Sequence, residues 1–234
     1  MNNLLILFIA VLPVYILCLY VYKKDHDKES KKLLLKLLLF GMISCIPAFI
    51  LEIALEWFFP PVEELNLVML FIYIFLTVAL VEEGCKWFMV KKIAFNHPEF
   101  DHIYDGIVYS VYASLGFALL ENILYVFTGG ISVGLFRAIS SVPAHACNAI
   151  IMGEFIGLAK ISKTNNNESL YKKNILFSLI MPTLTHTIYD YCIFSEETVL
   201  LLSFVVFLVL FYIYSFKKIK KLSNVKNNFI NKEL

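Results

Sequence analysis

Glu82 and Glu83 stand side by side in Val81-Glu82-Glu83-Gly84-Cys85-Lys86-Trp87, inside an otherwise apolar run. On a helix, Lys86 falls at i+4 from one and i+3 from the other and can reach either carboxylate. The two glutamates point about 100° apart, so one can be ion-paired while its neighbour faces a cavity. A carboxylate so placed suits general acid–base chemistry. Further along the chain, Arg137, Ser141, His145 and Asn148 are spaced 4, 4 and 3, which puts them on one helix face. Thr183, His186 and Asp190 share a face in the same way, as do Ser110, Ser114, Glu121 and Tyr125. The economical arrangement turns all these polar faces toward one water-accessible cavity.

Each residue also has a plainer role open to it. The Glu82, Glu83 and Lys86 cluster can be a structural ion-pair group, and His145 and His186 can make interhelical hydrogen bonds. Arg137 can anchor at an interface or pair with Glu121, and Asp190 can orient His186 from i+4. Asp105-Gly106 reads most simply as a helix N-cap and first turn. Two histidines and a glutamate also make a three-ligand zinc site with an open fourth position. Glu82, Glu83, His145 and His186 would be its ligands, although the H-E-x-x-H helix of common zinc proteases is absent. No cofactor is otherwise expected.

The elements that must carry these residues are membrane helices. The chain has 234 residues, 59% hydrophobic and 17% charged, with mean hydropathy +0.74, a balance that excludes an ordinary water-soluble domain. Apolar runs near 3–22, 33–55, 67–90, 105–127, 135–159, 174–194 and 199–216 are each about 18–25 residues long, enough to cross a hydrocarbon core of about 30 Å. The spacing therefore predicts an all-α bundle of seven transmembrane helices in a single integral membrane domain over 1–234. The first run lacks a basic n-region and a cleavage site and reads as a retained span.

Lysines occupy alternate gaps, and the gaps near 56–66, 128–134 and 195–198 hold no Lys or Arg. This predicts the N-terminus outside, the C-terminus in the cytoplasm and a cytoplasmic tail over 217–234. The basic loops need no nucleic-acid partner to explain them. Pro143 and Pro182 interrupt their runs tolerably, the polar stretch from Lys160 to Lys173 reads as a loop, and the chain after Phe216 reads as a fraying helix end. Cys18, Cys45, Cys85, Cys147 and Cys192 lack C-x-x-C spacing and read as packing residues. Counting about 1.5 Å per residue from the basic boundaries puts Glu82, His145 and His186 about 14, 22 and 20 Å deep, while Glu121, about 24 Å beyond Asp105, lies nearer the outer face.

The ordered blocks Glu82-Glu83-Gly84-Cys85-Lys86-Trp87, Asp105-Gly106-Ile107-Val108-Tyr109, Gly116 to Tyr125 with Glu121-Asn122, His145, and His186-Thr187-Ile188-Tyr189-Asp190 resemble the PrsW family of bacterial intramembrane proteases. The likeness covers 81–190. The type II CAAX prenyl endopeptidases are distantly similar, but they carry Arg five residues after the first glutamate, where this chain has Trp87. The resemblance implies a multi-pass enzyme of the bacterial cytoplasmic membrane. Its substrate would be a single-pass membrane protein, an anti-sigma factor whose first cut starts an envelope-stress cascade.

Under that resemblance Glu82 or Glu83 takes a proton from water and delivers it to the leaving amine. His145 and His186 then stabilise the oxyanion, with Asn148 as a helper. No serine or cysteine is placed convincingly beside a base, Ser141 being the best candidate for a covalent nucleophile. The rival readings are a CAAX-type endopeptidase and a non-enzymatic proton-coupled carrier or membrane scaffold. A carrier should show repeated topology, and no internal repeat is visible.

Overall fold

The computed structural model describes residues 3–225, and among these residues all regular structure is helical. Eight α-helices follow in order: α1 (Asn3–Lys24), α2 (Lys31–Glu56), α3 (Leu67–Tyr73), α4 (Leu80–Ile93), α5 (Ile103–Ile139), α6 (Ser141–Thr164), α7 (Glu168–Phe194) and α8 (Thr198–Ser223). A 3₁₀ turn spans Val62–Glu64, and a π-helical segment, Ile74–Ala79, joins α3 to α4 in one rod. Side-chain caps mark three starts. Ser30 accepts from the Leu33 N–H, Asn66 from Met69 and Asn167 from Leu170, each satisfying a backbone donor that the first helical turn leaves unpaired.

Five stretches are long and apolar enough to cross a membrane: Leu4–Lys24, Lys31–Glu56, Leu67–Ile93, Ile103–Thr164 and Thr198–Ser223. The fourth is 62 residues long, far more than the about 20 that one crossing takes. It is divided where Gly130 adopts φ +78°, a conformation glycine takes without penalty, and again at Ser140, with φ −115° and ψ −72°. α7 is missing from the five because Lys172, Lys173, Thr183, Thr185, His186 and Asp190 dilute its apolar run.

Several boundaries differ from those the sequence suggests. The polar stretch 160–173 is mostly helix, since α6 runs to Thr164 and α7 begins at Glu168. α8 continues past Phe216 to Ser223, and the end of the expected tail, 226–234, lies outside the described residues. Asp105 is not the N-cap of α5. His102 caps, and the Asp105 carboxylate reaches back from the N3 position to close a capping box. Pro143 sits in the first turn of α6, where a proline removes no helical hydrogen bond.

α5 runs through the middle, packed on α1, α2 and α6. Glycines set how close it comes. A Cβ on Gly153 would meet the Gly106 carbonyl oxygen at 2.3 Å, and one on Gly116 would meet the Leu38 carbonyl oxygen at 2.0 Å. Without water to drive helices together, such small-residue contact is a main source of packing energy in a membrane. Gly153→Leu is therefore expected to abolish the monodisperse folded protein in detergent, read by size-exclusion chromatography. Gly84, although inside the Glu-Glu-Gly-Cys-Lys run, has open space around its absent Cβ. Gly84→Ala is expected to keep the folded peak and gain about 0.5–1 kcal/mol of helix stability.

The lysine-bearing ends of α4, α6 and α7 meet at one end of the bundle. Lys91 donates to the Tyr171 hydroxyl at 3.3 Å, Lys160 to the Phe95 carbonyl at 2.8 Å and Lys163 to Asn96 at 3.4 Å. At the far end of α2, Trp57 and Phe58 are 87% and 80% exposed, the placement expected of aromatic side chains at a membrane interface.

Candidate functional site

The π-helical segment ends just before the two glutamates, and such insertions re-aim the residues that follow. Thr77 closes the wide turn by donating to the Tyr73 carbonyl at 2.6 Å. From the first turn of α4, Glu82 and Glu83 then point into the bundle. Lys86, one turn on, is completely buried and donates to Glu82 Oε2 and Glu83 Oε1, both at 2.9 Å. Its ammonium also lies 3.1 Å from His145 Nδ1 and 4.3 Å from the centre of the Phe117 ring. The lysine thus serves both glutamates, where the sequence allowed for one.

The two carboxylates nevertheless occupy different surroundings. Glu83 is fully buried and its Oε1 also meets His186 Nδ1 at 3.0 Å. Glu82 lines a cavity of about 540 Å³, shared with Glu121, Arg137, His145, His186 and Asp190. Asn148 and Ser141 line the same cavity, and Asn148 Oδ1 accepts from the Thr185 hydroxyl at 2.7 Å.

Hydrogen bonds assign the histidine protons. An ammonium only donates, so His145 Nδ1 accepts from Lys86 and the ring carries its proton on Nε2, which donates to Glu121 Oε2 at 2.9 Å. His186 meets a carboxylate from each nitrogen, Glu83 at Nδ1 and Asp190 Oδ2 at Nε2, the latter at 3.2 Å. That is the arrangement of a ring donating from both sides. The two rings pack edge to face with centres 5.5 Å apart.

Glu121 belongs to this group despite the depth count that set it nearer the outer face. Counting along a straight axis ignores helix tilt, and the carboxylate also meets Arg137 at 3.0 Å. Arg137 stands before the break at Ser140, on α5, and Ser141, His145 and Asn148 stand after it on α6. The single stripe read from the sequence is thus carried by two helices that converge on one cavity. Arg137 is held by Asn122 Oδ1 at 3.0 Å, and Asn122 in turn donates to the Ala10 carbonyl of α1 at 3.0 Å.

Some expected residues do not reach the cavity. Ser110, Ser114 and Thr183 are buried in helix contacts, Ser114 donating to the His145 carbonyl at 3.0 Å. That bond places the α6 backbone that carries the histidine. Sequence reading missed Glu52 and Glu56 on α2, which line the same cavity, with Glu56 accepting from the Tyr73 hydroxyl at 3.3 Å. They sit near the end of a long apolar helix, and Glu52-Ile53-Ala54-Leu55-Glu56 at i and i+4 was the available signal. The five cysteines carry no disulfide, and four of them are buried.

The donor set can hold a zinc ion by its chemistry. Glu82, Glu83 and His186 bring one donor atom each within 4.8 Å of one another, and so do Glu82, Glu121 and His145. Imidazole and carboxylate are the ligands zinc takes in catalytic sites. The four ligands expected together are thus divided over two groups that share Glu82.

Residues 29–215 match a family described as PrsW family intramembrane metalloprotease. Among curated relatives, the chain is 37% identical to a protease PrsW of Oceanobacillus iheyensis over 215 residues, which cover 91% of this chain and 95% of the relative. It is 33% identical to a protease PrsW of Bacillus subtilis, covering 92% and 94%, and 30% identical to one of Clostridioides difficile, covering 92% and 90%. No solved structure matches the chain.

Proposed function

The chain belongs to the PrsW family of intramembrane proteases, and on that premise we propose that it cuts a single-pass membrane protein, an anti-sigma factor, by water that Glu82 activates. Family membership makes it a membrane-embedded peptide hydrolase of the bacterial cytoplasmic membrane. The observation that carries the mechanism is the unequal placement of the glutamates. Lys86 lies 2.9 Å from both, yet Glu82 borders the cavity while Glu83 is completely buried.

In this reading Glu82 takes the proton from a water in the cavity and returns it to the leaving amine. Glu83 holds Lys86 and His186 in place. His186, held by Glu83 and Asp190, and His145, held by Lys86 and Glu121, line the cavity, and each would turn its Nε2–H from its carboxylate partner to meet the oxyanion of the tetrahedral intermediate. Asn148 adds a polar group on the same wall. The site's position among α4, α5, α6 and α7 implies that the scissile segment unwinds to reach it.

A zinc ion would be held by Glu82, Glu83 and His186, or by Glu82, Glu121 and His145, and when bound it would lower the pKa of its water and polarise the carbonyl. The family description favours this second reading. We also propose seven crossings, with Ile103–Thr164 crossing twice and α7 once, the N-terminus outside and the lysine-rich end cytoplasmic.

The test is cleavage of a tagged single-pass anti-sigma factor by purified protein in detergent, with and without chelator. Wild-type cleavage that survives chelation supports the bare glutamate base, whereas loss that only zinc restores assigns the metal. Glu121→Gln keeps an acceptor for His145 but removes the charge facing Arg137, and is expected to lower the rate about tenfold to a hundredfold, somewhat less than loss of a direct donor. An unchanged rate in that variant would remove Glu121 from the site.

A further inference from the structure

At the start of α5, about 24 Å along the helix axis before Glu121, three more carboxylates meet. Asp25 and Glu29 come from the loop between α1 and α2, and Asp105 from the first turn of α5. All three are buried, with relative exposures of 6%, 5% and 0%. One carboxylate oxygen from each lies within 4.8 Å of the others. Three like charges in so small a space repel strongly unless something neutralises them.

Lys28 lies near enough to Asp25 to offset part of its charge, but no basic side chain among the described residues is ion-paired to the group. Among the described residues no ion pair reaches Asp25, Glu29 or Asp105, and Lys28, the nearest lysine in sequence, donates to the backbone carbonyls of Tyr22 and Asp25. The hydrogen bonds that exist leave oxygens over. Asp105 Oδ2 accepts from the N–H groups of Asp101 and His102 at 2.9 and 2.6 Å, while its Oδ1 is buried with no partner. Asp25 Oδ2 is likewise buried and unpartnered. Glu29 Oε2 accepts from the Tyr109 hydroxyl, which fixes that carboxylate toward the group. Buried acceptors left over in this way normally have an ion or water to satisfy them.

We propose that Asp25, Glu29 and Asp105 form a binding site for a hard divalent cation, calcium first and magnesium second, that clamps the α1–α2 loop to the start of α5. The ligands are all oxygen, the chemistry that selects calcium and magnesium over zinc or copper. Oxygens bound to one calcium ion stand at most about 4.6–5.2 Å apart, and the three carboxylate oxygens, all within 4.8 Å of one another, meet that condition. A cavity of about 340 Å³, lined by His26, Asp27, His102, Tyr104 and Ser223, reaches the group at Asp25. The site is separate from the glutamate–histidine centre and needs no assumption about the protease reaction.

The test uses the full-length protein in detergent, stripped with chelator and freed of it by gel filtration. Equilibrium dialysis against radioactive calcium measures binding, and thermal unfolding is followed as calcium chloride or magnesium chloride is added at constant ionic strength. Wild type is expected to bind calcium stoichiometrically and to gain several degrees in Tm with saturation. Asp25→Asn and Glu29→Gln, close in shape to the parent residues, are expected to lose at least tenfold in affinity and to flatten the Tm response. Absence of saturable calcium or magnesium binding in wild type would overturn the proposal, and so would equal responses in folded variants. Zinc at the same concentration is expected to give a smaller shift, and a larger one would overturn the assignment to a hard cation.

Discussion

Glu82→Gln is expected to lower cleavage of a single-pass substrate by about 10²–10⁴-fold, the range lost when a positioned general base is removed. The substitution is nearly isosteric. Its amide oxygen can still accept from the Lys86 ammonium, now at 2.9 Å from the carboxylate, so the surrounding bundle should stand and Tm should move little. What disappears is the one carboxylate of the pair that borders the cavity. Glu83→Gln makes the contrasting case, because Glu83 Oε1 serves Lys86 and His186 together and the side chain is wholly buried. An amide there brings N–H donors against two donors, and the expected result is a lower Tm alongside the lower rate. Measuring rate and Tm on both variants separates a base from a positioning residue. A Glu82→Gln protein that cuts at the wild-type rate, with Glu83→Gln silent, would transfer the base to Glu83.

Much of this site could be read before any coordinates. Glu82, Glu83, Lys86, His145 and His186 announce themselves because ionisable groups in apolar helices are rare and rarely idle, and the i, i+3 and i+4 spacing of Lys86 from the glutamates already defines their pairing. The all-helical architecture follows from apolar runs of spanning length. What the sequence does not carry is curvature. The break at Ser140 is marked only by Pro143, which sits in the first turn of the helix that follows and which the 4, 4 and 3 spacing outweighed, so Arg137 and His145 read as one helix when they lie on two.

The π-helical turn at Ile74–Ala79 leaves no trace in Ile-Phe-Leu-Thr-Val-Ala, because its extra residue is accommodated by packing against α7 rather than by local propensity. A count along straight, upright helices does not show that Glu121 meets His145 and Arg137 in one cavity. Asp25 and Glu29 lie in a charged loop where acidic residues are commonplace, and only the fold reveals that both are buried against Asp105.

Lys86→Met should have the largest effect on stability, a loss of about 3–5 kcal/mol, because removing one partner of a buried ion pair leaves the other charge uncompensated. Here it would strand two carboxylates, and His145 Nδ1 would lose its donor as well. Methionine fills the volume beside Phe117, so a cavity contributes little to the loss. The cause can be isolated by asking what happens when the stranded charges go too. Glu82→Met and Glu83→Met combined with Lys86→Met replace the ionic cluster by apolar groups of similar size, and buried ion pairs so replaced often lose nothing in stability. The triple variant is therefore expected to regain most of the thermal or denaturant midpoint that Lys86→Met loses, while cleaving nothing. Recovery of stability without activity would mean that the cluster is kept for chemistry and that Lys86 is what permits two adjacent carboxylates to be buried there. A Lys86→Met protein as stable as wild type would contradict this, since the glutamates would then be held as neutral acids and the lysine would have no charge to balance.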